Sequence, residues 1–559
     1  MPQFPQPKHD KDPMAYVPLR LEDYDISPTN GFLPTEPPLR RISNPYFEPW
    51  ERIMDKFNQY LLAHHIRRLV RKMPVLDTSK LETQAEFQRA FTILSFMAHA
   101  FVWGRNSALS ESASDFLPAS ISIPWVSVAK FLQINPVICC AAVCHWNWQI
   151  LDENAKDPMD IDNLGTLHTF SGSTDESWFY LVTTAIEAKC AQGINAILDA
   201  VASVEEDNME RMTHALHKIA HSLRDANTLL VRIYERCDPY VFYWKIREFL
   251  AGWENMAEAG LPYGVLYEGV DDTDTPSLDS WQELIWRFRK YAGGSAAQTP
   301  LLQAFDIALG IKHYPTGKQG LQSSVSDARK RLYELGFSEP PVANSYLVRM
   351  RDYMPGGHRR FLEDLAATCR IREYVLLACS DQMLQAGHDG DLQVSMRQAY
   401  NECIDLMKAF RDKHIMLVTR YIIAQANTGP LMPAPPVTSV SSHIIPHASH
   451  TQALMRARSS DTPPPGGRLG GDSLPADPTM YPQTNTHSLR LAQPTRVRSQ
   501  NHHALQSAAP SQASFSSTNG KGNRLARKVE DGSVVRGTGG TDAMQFLKQV
   551  RNETANTRI

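Results

Sequence analysis

Cysteine is scarce and unpatterned in this chain. Eight cysteines are spread over 559 residues, at positions 139, 140, 144, 190, 237, 369, 379 and 403. No two form a CxxC pair, which argues against a zinc-ribbon or thioredoxin-type site. Most lie in apolar, periodic stretches, so they read as small buried hydrophobes in a reducing compartment. Neither sign of charge is in excess: the formal net charge is −3 and the pI is near 6.7. That balance gives no footprint for nucleic acid or an anionic membrane. Long hydrophobic runs are also missing, and the longest, residues 137–144, is far short of a bilayer span. The opening MPQFPQPKHDKD lacks the apolar core of a signal peptide. The expectation is a soluble cytoplasmic protein with no membrane and no nucleic-acid partner.

Hydrophobic residues make up 42% of the chain, enough for a large core. Their spacing is helical over most of residues 46–426. Residues 1–45, rich in proline and charge, read as an extended N-terminal segment. Helices are predicted over 50–69, 81–103, 121–132 and 136–148, the last starting at Asn135-Pro136. These make a small N-terminal domain, 46–163. A large helical domain, 164–426, follows, with helices at 177–204, 209–236, 301–311, 326–335, 346–351, 358–365, 371–378 and 395–423. Asp238-Pro239 starts another, through Phe242, Arg247 and Leu250. Residues 427–530 change character. They are dense in Pro, Ser, Thr, Gln and Gly, with Tyr481 and Phe515 their only aromatics. Such a stretch buries too little apolar surface to offset its ordering entropy and reads as a disordered insertion. Glycine loop and short amphipathic helix return in 531–559.

Within the large domain, Cys403, Met407, Phe410, His414, Leu417 and Tyr421 recur at alternating steps of four and three. They form one stripe of a helix, so His414 points with the apolar residues toward a core. One reading is a core histidine with a hydrogen bond on each ring nitrogen. The other is an axial ligand to a buried haem iron. Spacing alone leaves both open. Other candidates are weaker. His214, His217 and His221 share a helix face, but the apolar stripe Met212, Leu216, Ile219 and Leu223 lies opposite, so they read as solvated. The Gly293-Gly294-Ser295-Ala296-Ala297 turn lacks a following GK[ST], and reads as close backbone approach to a planar ligand rather than a phosphate cradle. His358, after a Pro-Gly-Gly turn, reads as a partly exposed helix-start residue.

The neighbours of His414 choose between its readings. FRDKHIMLVTRYI resembles the proximal-histidine helix of the indoleamine 2,3-dioxygenase family. AFVWG at 100–104, CDPYVFYWKIREFLAGW at 237–253, VLYEG at 265–269, YAGGSAAQ at 291–298, FDIALGIKHY at 305–314, MRDYMPGGHRRFL from 350 and GTGGTDAMQFLKQVR from 537 resemble the same family in the same order. The resemblance implies a mainly α fold, with a small N-terminal domain packed on a large all-helical haem-binding domain and a segment like 21–33 lying against the small domain. It implies a haem-dependent dioxygenase that inserts both atoms of O2 across the indole 2,3-double bond of L-tryptophan to give N-formylkynurenine.

The family's site residues carry over position by position. His414 matches the ligand of the haem b iron. Arg411 matches the arginine beside a haem propionate, paired with the aspartate at Asp306. Arg247 matches the clamp on the substrate carboxylate, a task suited to a planar guanidinium. Phe179 and Phe242 match the residues that hold the indole. Gly294, Ser295 and Ala296 match the backbone wall beside substrate and haem. Residues 537–541 match a mobile glycine loop, with Thr538 as its hydrogen-bonding residue. Thr183 stands where animal members carry serine, Cys140 where they carry tyrosine and Val143 where they carry cysteine, so the distal pocket keeps a hydroxyl and loses a ring. The resemblance further implies a monomer, an external reductant that keeps the iron ferrous, and a place in tryptophan catabolism through the kynurenine pathway toward NAD. Two alternatives stay open. One is a haem protein with low tryptophan turnover that acts on another indoleamine or senses haem or redox state. The other is a scaffold whose working part is the insertion.

Overall fold

Thr83 and Glu86 cap the first long helix reciprocally. Glu86 N–H donates to the Thr83 hydroxyl at 3.2 Å, and Thr83 N–H donates to the Glu86 carboxylate at 3.1 Å. Two of the donors a helix start leaves unsatisfied are thereby used. The helix, Gln84–Trp103, is buried on nearly every face, as its all-round apolar sequence requires. This computed structural model describes residues 18–104, 113–270, 287–314, 346–380, 390–428 and 543–559. The predicted helix at 326–335, nearly all of the 427–530 insertion, and the 537–541 loop with Thr538 lie outside the described residues.

The fold is mainly α. Two strand pairs are present among the described residues, Trp148–Ile150 antiparallel to Leu164–Thr166 and Phe116–Leu117 parallel to Leu266–Tyr267. The Gly390–Val418 helix packs along Met209–Val231, which packs along Ala191–Glu205. Asn227 stitches the first of these contacts, its side-chain NH2 donating to Leu406 O at 3.0 Å while its backbone carbonyl accepts from Lys413. Met212, Leu216, Ile219 and Leu223 are fully buried on this face. His214, His217 and His221 are exposed on the other, as the periodicity predicted. Among the described residues no helix is long and apolar enough to cross a membrane.

Several boundaries differ from the sequence reading. The stretch read as one helix at 177–204 is two, Thr174–Lys189 and Ala191–Glu205, meeting at Cys190. The 50–69 stretch is three short helices, Glu48–Asp55, Phe57–Leu62 and Ile66–Lys72. Residues 136–148 are not a helix throughout; a single π-helical turn, Ala141–His145, is followed by a strand. Before that turn, the Ile138 and Cys140 N–H groups bond to side chains of other elements. Residues 21–33 do not lie against the N-terminal part alone. They also pack on Gly356–Thr368, where Tyr24 donates to Asp364 at 2.8 Å and Phe32 meets the His358 ring at 5.0 Å. His358 is thereby 3% exposed, which corrects its reading as a partly exposed residue.

Candidate active site

Three π-helical turns occur among the described residues, Ala141–His145, Phe242–Ile246 and Thr419–Ile423, and residues of all three line one cavity of about 260 Å3. In an α-helix, residues five apart point in different directions. Across the second turn, Arg247 N–H donates to Phe242 O, an i→i+5 bond, and both side chains reach the cavity. The segment starts at Asp238, whose carboxylate accepts from the N–H groups of Tyr240 and Val241. Arg247 is 3% exposed. Burial pulls its pKa below the ordinary arginine value, partly offset by Tyr243, whose ring lies 5.4 Å from the guanidinium carbon. It remains a cation in any case, since a guanidinium does not deprotonate in proteins.

Phe179 and Phe242 pack with ring centroids 4.5 Å apart, and Tyr421 meets Phe242 edge-on at 5.8 Å. Gly294, Ser295 and Ala296 form another wall, and Thr183 with Cys140, Val143 and Cys144 a further one. The Thr183 hydroxyl has no protein partner among the described residues. The structure thus brings together Arg247, Thr183, Phe179, Phe242, Gly294, Ser295, Ala296 and His414. Arg411 and Asp306 lie beside this group rather than in the lining.

The glycines at 293 and 294 do different jobs. A Cβ on Gly293 would meet Gly252 N and Leu250 O at 2.3 Å, so its need for glycine comes from backbone packing, not from a ligand. A Cβ on Gly294 would meet nothing nearer than 3.8 Å. Gly293→Ala is therefore expected to lower unfolding stability by about 1–3 kcal/mol, and Gly294→Ala to cost less than about 0.5 kcal/mol. Urea unfolding midpoints of the two variants check this.

His414 faces the cavity from the Gly390–Val418 helix. It is half-buried by surface area because its ring looks into open space, yet burial, aided by the Arg411 charge, brings its pKa down to about 4. Its ring has no hydrogen-bond partner among the described residues. A core histidine with both nitrogens satisfied is therefore not what the helix presents. One helical turn back, Arg411 donates to both oxygens of Asp306, at 2.6 and 2.7 Å, and to the Thr554 hydroxyl. Asp306 also faces His313 at 3.0 Å, and His313 bonds Glu553 at 2.8 Å. Burial alone would raise the Asp306 pKa; the charges of Arg411 and His313 outweigh it and hold the carboxyl below its usual range.

The donor set can be tested against a metal group. Among the described residues no cluster of three or more His, Cys, Asp or Glu converges to hold an ion. A lone neutral imidazole does not retain a bare iron. It suits an iron that brings its own ring of four nitrogens, and the largely apolar cavity suits such a ring. Haem fits these residues.

Sequence reasoning missed several residues here. Tyr346, Phe546 and Leu547 also line the cavity, the last two from the Ala543–Ala555 helix. Behind Cys140 lies fully buried His145, its Nε2 3.9 Å from Cys140 Sγ and 3.6 Å from a Glu187 oxygen that also accepts from the Thr299 hydroxyl. Cys140 is held as a neutral thiol by Cys144 and by burial. Burial opposes protonation of His145, and its neighbours, Cys140 first and then Glu187, raise its pKa back above the usual value. No local pattern announces this cluster, since its members come from three elements.

Comparison with known proteins agrees with the geometry. A sequence profile described as indoleamine 2,3-dioxygenase matches residues 20–463. The indoleamine 2,3-dioxygenase of Saccharomyces cerevisiae is 35% identical over 417 residues, 73% of this chain and 81% of the relative. The indoleamine 2,3-dioxygenase nanC of Aspergillus nanangensis is 34% identical, covering 73% and 88%. The 6-hydroxytryptophan 2,3-dioxygenase fscD of Fusarium equiseti is 31% identical, covering 73% and 86%. Matches of this length place the chain in the indoleamine 2,3-dioxygenase family, and the protein is a dioxygenase.

Proposed function

We propose that the protein converts L-tryptophan and O2 to N-formylkynurenine, with haem b in the cavity and His414 on its iron. The observation that carries this reading is the unpartnered His414 ring facing the same cavity as buried Arg247. Arg247 clamps the substrate carboxylate, and Phe179 and Phe242 hold the indole face. Thr183 offers a hydroxyl to the substrate amine or ring. Gly294, Ser295 and Ala296 bound the ring edge, and Thr538 closes the site from the glycine loop. Arg411, backed by Asp306, would hold a haem propionate. When bound, haem lifts the spin barrier that keeps O2 from reacting with a closed-shell indole. The net reaction consumes no reductant; an external one keeps the iron ferrous. The same proposal includes a monomer in the cytoplasm, a body divided near residue 163, and the first step of the kynurenine pathway. Haem-loaded protein given tryptophan, ascorbate and methylene blue tests it. Appearance of formylkynurenine absorbance supports it, and its absence under conditions where tryptophan binds contradicts it.

A second reading has an observation of its own. Cys140, Val143 and Cys144 make the distal wall from small side chains, with the polar His145 and Glu187 behind it. Room of that kind suits a ring-substituted tryptophan, such as the 6-hydroxy compound in the name of one relative. Cys140→Tyr is then expected to lower kcat/KM for 6-hydroxytryptophan at least tenfold relative to tryptophan, about 1.4 kcal/mol. Equal effects on both substrates would rule this reading out.

A further inference from the structure

Three walls of the cavity come from separate stretches of chain. One is the arm that ends in Arg247 and Leu250. A second is the distal run through Cys140 and Cys144. The third is Gly294, Ser295 and Ala296. Such walls keep a planar ligand in register only if something fixes them to one another.

The arm and the glycine wall meet directly, Gly294 N–H donating to Leu250 O at 2.9 Å. The distal wall is held by side chains instead. Ile138 N–H donates to His99 Nε2 at 3.0 Å, and His99 Nδ1–H donates to Phe249 O at 2.8 Å, two residues past Arg247. The His99 ring is fully buried and stacks on Trp253 with centroids 4.5 Å apart. With one nitrogen accepting and the other donating, its tautomer is fixed and it is neutral. Two residues further on, Cys140 N–H donates to Gln298 Oε1 at 3.1 Å. That oxygen also accepts from Ser295 N–H at 3.2 Å, while Gln298 Nε2–H donates to Gly293 O at 2.8 Å. Gln298 is 1% exposed. Every edge of the triangle is closed: arm to glycine wall by backbone, arm to distal wall by His99, distal wall to glycine wall by Gln298. A fourth contact supports the same run, where the Tyr267 hydroxyl donates to Pro136 O at 2.6 Å.

Neither His99 nor Gln298 is part of the cavity lining. The geometry points to both as positioning residues of this dioxygenase. They grip the distal run at Ile138 and Cys140 and preset its distance from the arginine arm. The inference rests on the proposal that the cavity takes tryptophan. Preset walls need no ordering when the ligand arrives, which lowers the cost of binding.

The full-length, haem-loaded protein tests this with His99→Leu and Gln298→Met, which remove the bonds at similar volume. His99→Gln and Gln298→Glu keep an acceptor for the same N–H groups. Ser203→Ala, which loses a buried bond to Ala200 O outside the cavity lining, is the control. Amide hydrogen exchange over residues 136–146 and steady-state kinetics on L-tryptophan are read together. Exchange is expected to quicken about tenfold at Ile138 in His99→Leu and at Cys140 in Gln298→Met, the scale of one lost hydrogen bond. KM rises about tenfold, with kcat per bound haem changing less. The conservative variants recover part of both effects, and Ser203→Ala moves neither. If a leucine or methionine variant fails to fold, its conservative counterpart carries the comparison, with a smaller shift in the same direction. Unchanged exchange overturns the clamp. Faster exchange with wild-type KM and kcat reduces it to a structural role and overturns positioning. A wild type that turns over no tryptophan overturns the reading of the cavity instead, and exchange alone then decides whether the clamp exists.

Discussion

On the proposal that the cavity takes L-tryptophan, Arg247→Met is expected to lower kcat/KM for it by a factor of a few hundred to a few thousand, equivalent to about 3–5 kcal/mol. The side chain is 3% exposed and lines the cavity, so a carboxylate bound there trades water for the guanidinium fork. Methionine fills similar space but leaves that carboxylate desolvated and unpaired. Arg247→Lys keeps the charge and loses the second parallel hydrogen bond, so it falls between wild type and methionine. The loss belongs to the acid group. Turnover of an indole amine without a carboxylate therefore changes far less than turnover of tryptophan. Steady-state kinetics on the two substrates check this, and equal losses on both would show that Arg247 holds structure rather than substrate.

Asp306→Asn destabilises the fold by about 3–5 kcal/mol, because a buried ion pair loses one partner while the other stays buried. Asp306 is where several elements meet. Arg411 of the Gly390–Val418 helix donates to both of its oxygens, and His313 links it to Glu553 of the Ala543–Ala555 helix. That last helix also holds Arg411 through Thr554 and carries Phe546 and Leu547 into the cavity wall. The variant should therefore loosen the C-terminal helix first, seen as earlier proteolytic release of its peptides. The pH dependence follows from the sign of the shift. Asp306 has a folded pKa below its unfolded one, so its contribution is present above about pH 4 and lost as pH falls through the folded value. The wild type loses that increment on acidification and the asparagine variant does not. Urea unfolding between pH 7 and pH 3 measures the convergence of the two, and parallel curves would contradict the pairing.

How much of this could be read in advance depended on how local the cause was. The alternation of threes and fours put His414 on the apolar stripe, and Arg411 three residues earlier on the same side. Asp238-Pro239 announced a helix start, and Asp238 indeed caps it. The reciprocal cap at Thr83 follows the same short-range logic. The failures came from distant partners. His358 follows a Pro-Gly-Gly turn, a signal for an exposed helix start. It is buried because residues 21–33 cross over it, with Gly357 close enough that a Cβ would meet Tyr24 O at 2.4 Å. Residues 136–140 carry helix-compatible side chains, yet their N–H groups at 138 and 140 are taken by His99 and Gln298. The π-helical turns have no simple sequence signature, though they bring Phe242 and Arg247 to one cavity. Phe546 and Leu547 stand beyond a long stretch of low hydrophobicity, so only the fold shows that they return to the wall.

Titration of purified apoprotein with haem, for wild type and His414→Ala side by side, goes to the centre. Wild type is expected to bind one haem with a Soret band and a ferrous spectrum typical of one axial histidine, and to make formylkynurenine. His414→Ala should bind haem at least a hundredfold more weakly, a loss of about 2.7 kcal/mol or more, with an altered ferrous spectrum and no turnover. A variant that keeps the wild-type ferrous spectrum and haem affinity would show that the cavity holds its cofactor by some other residue, or holds none.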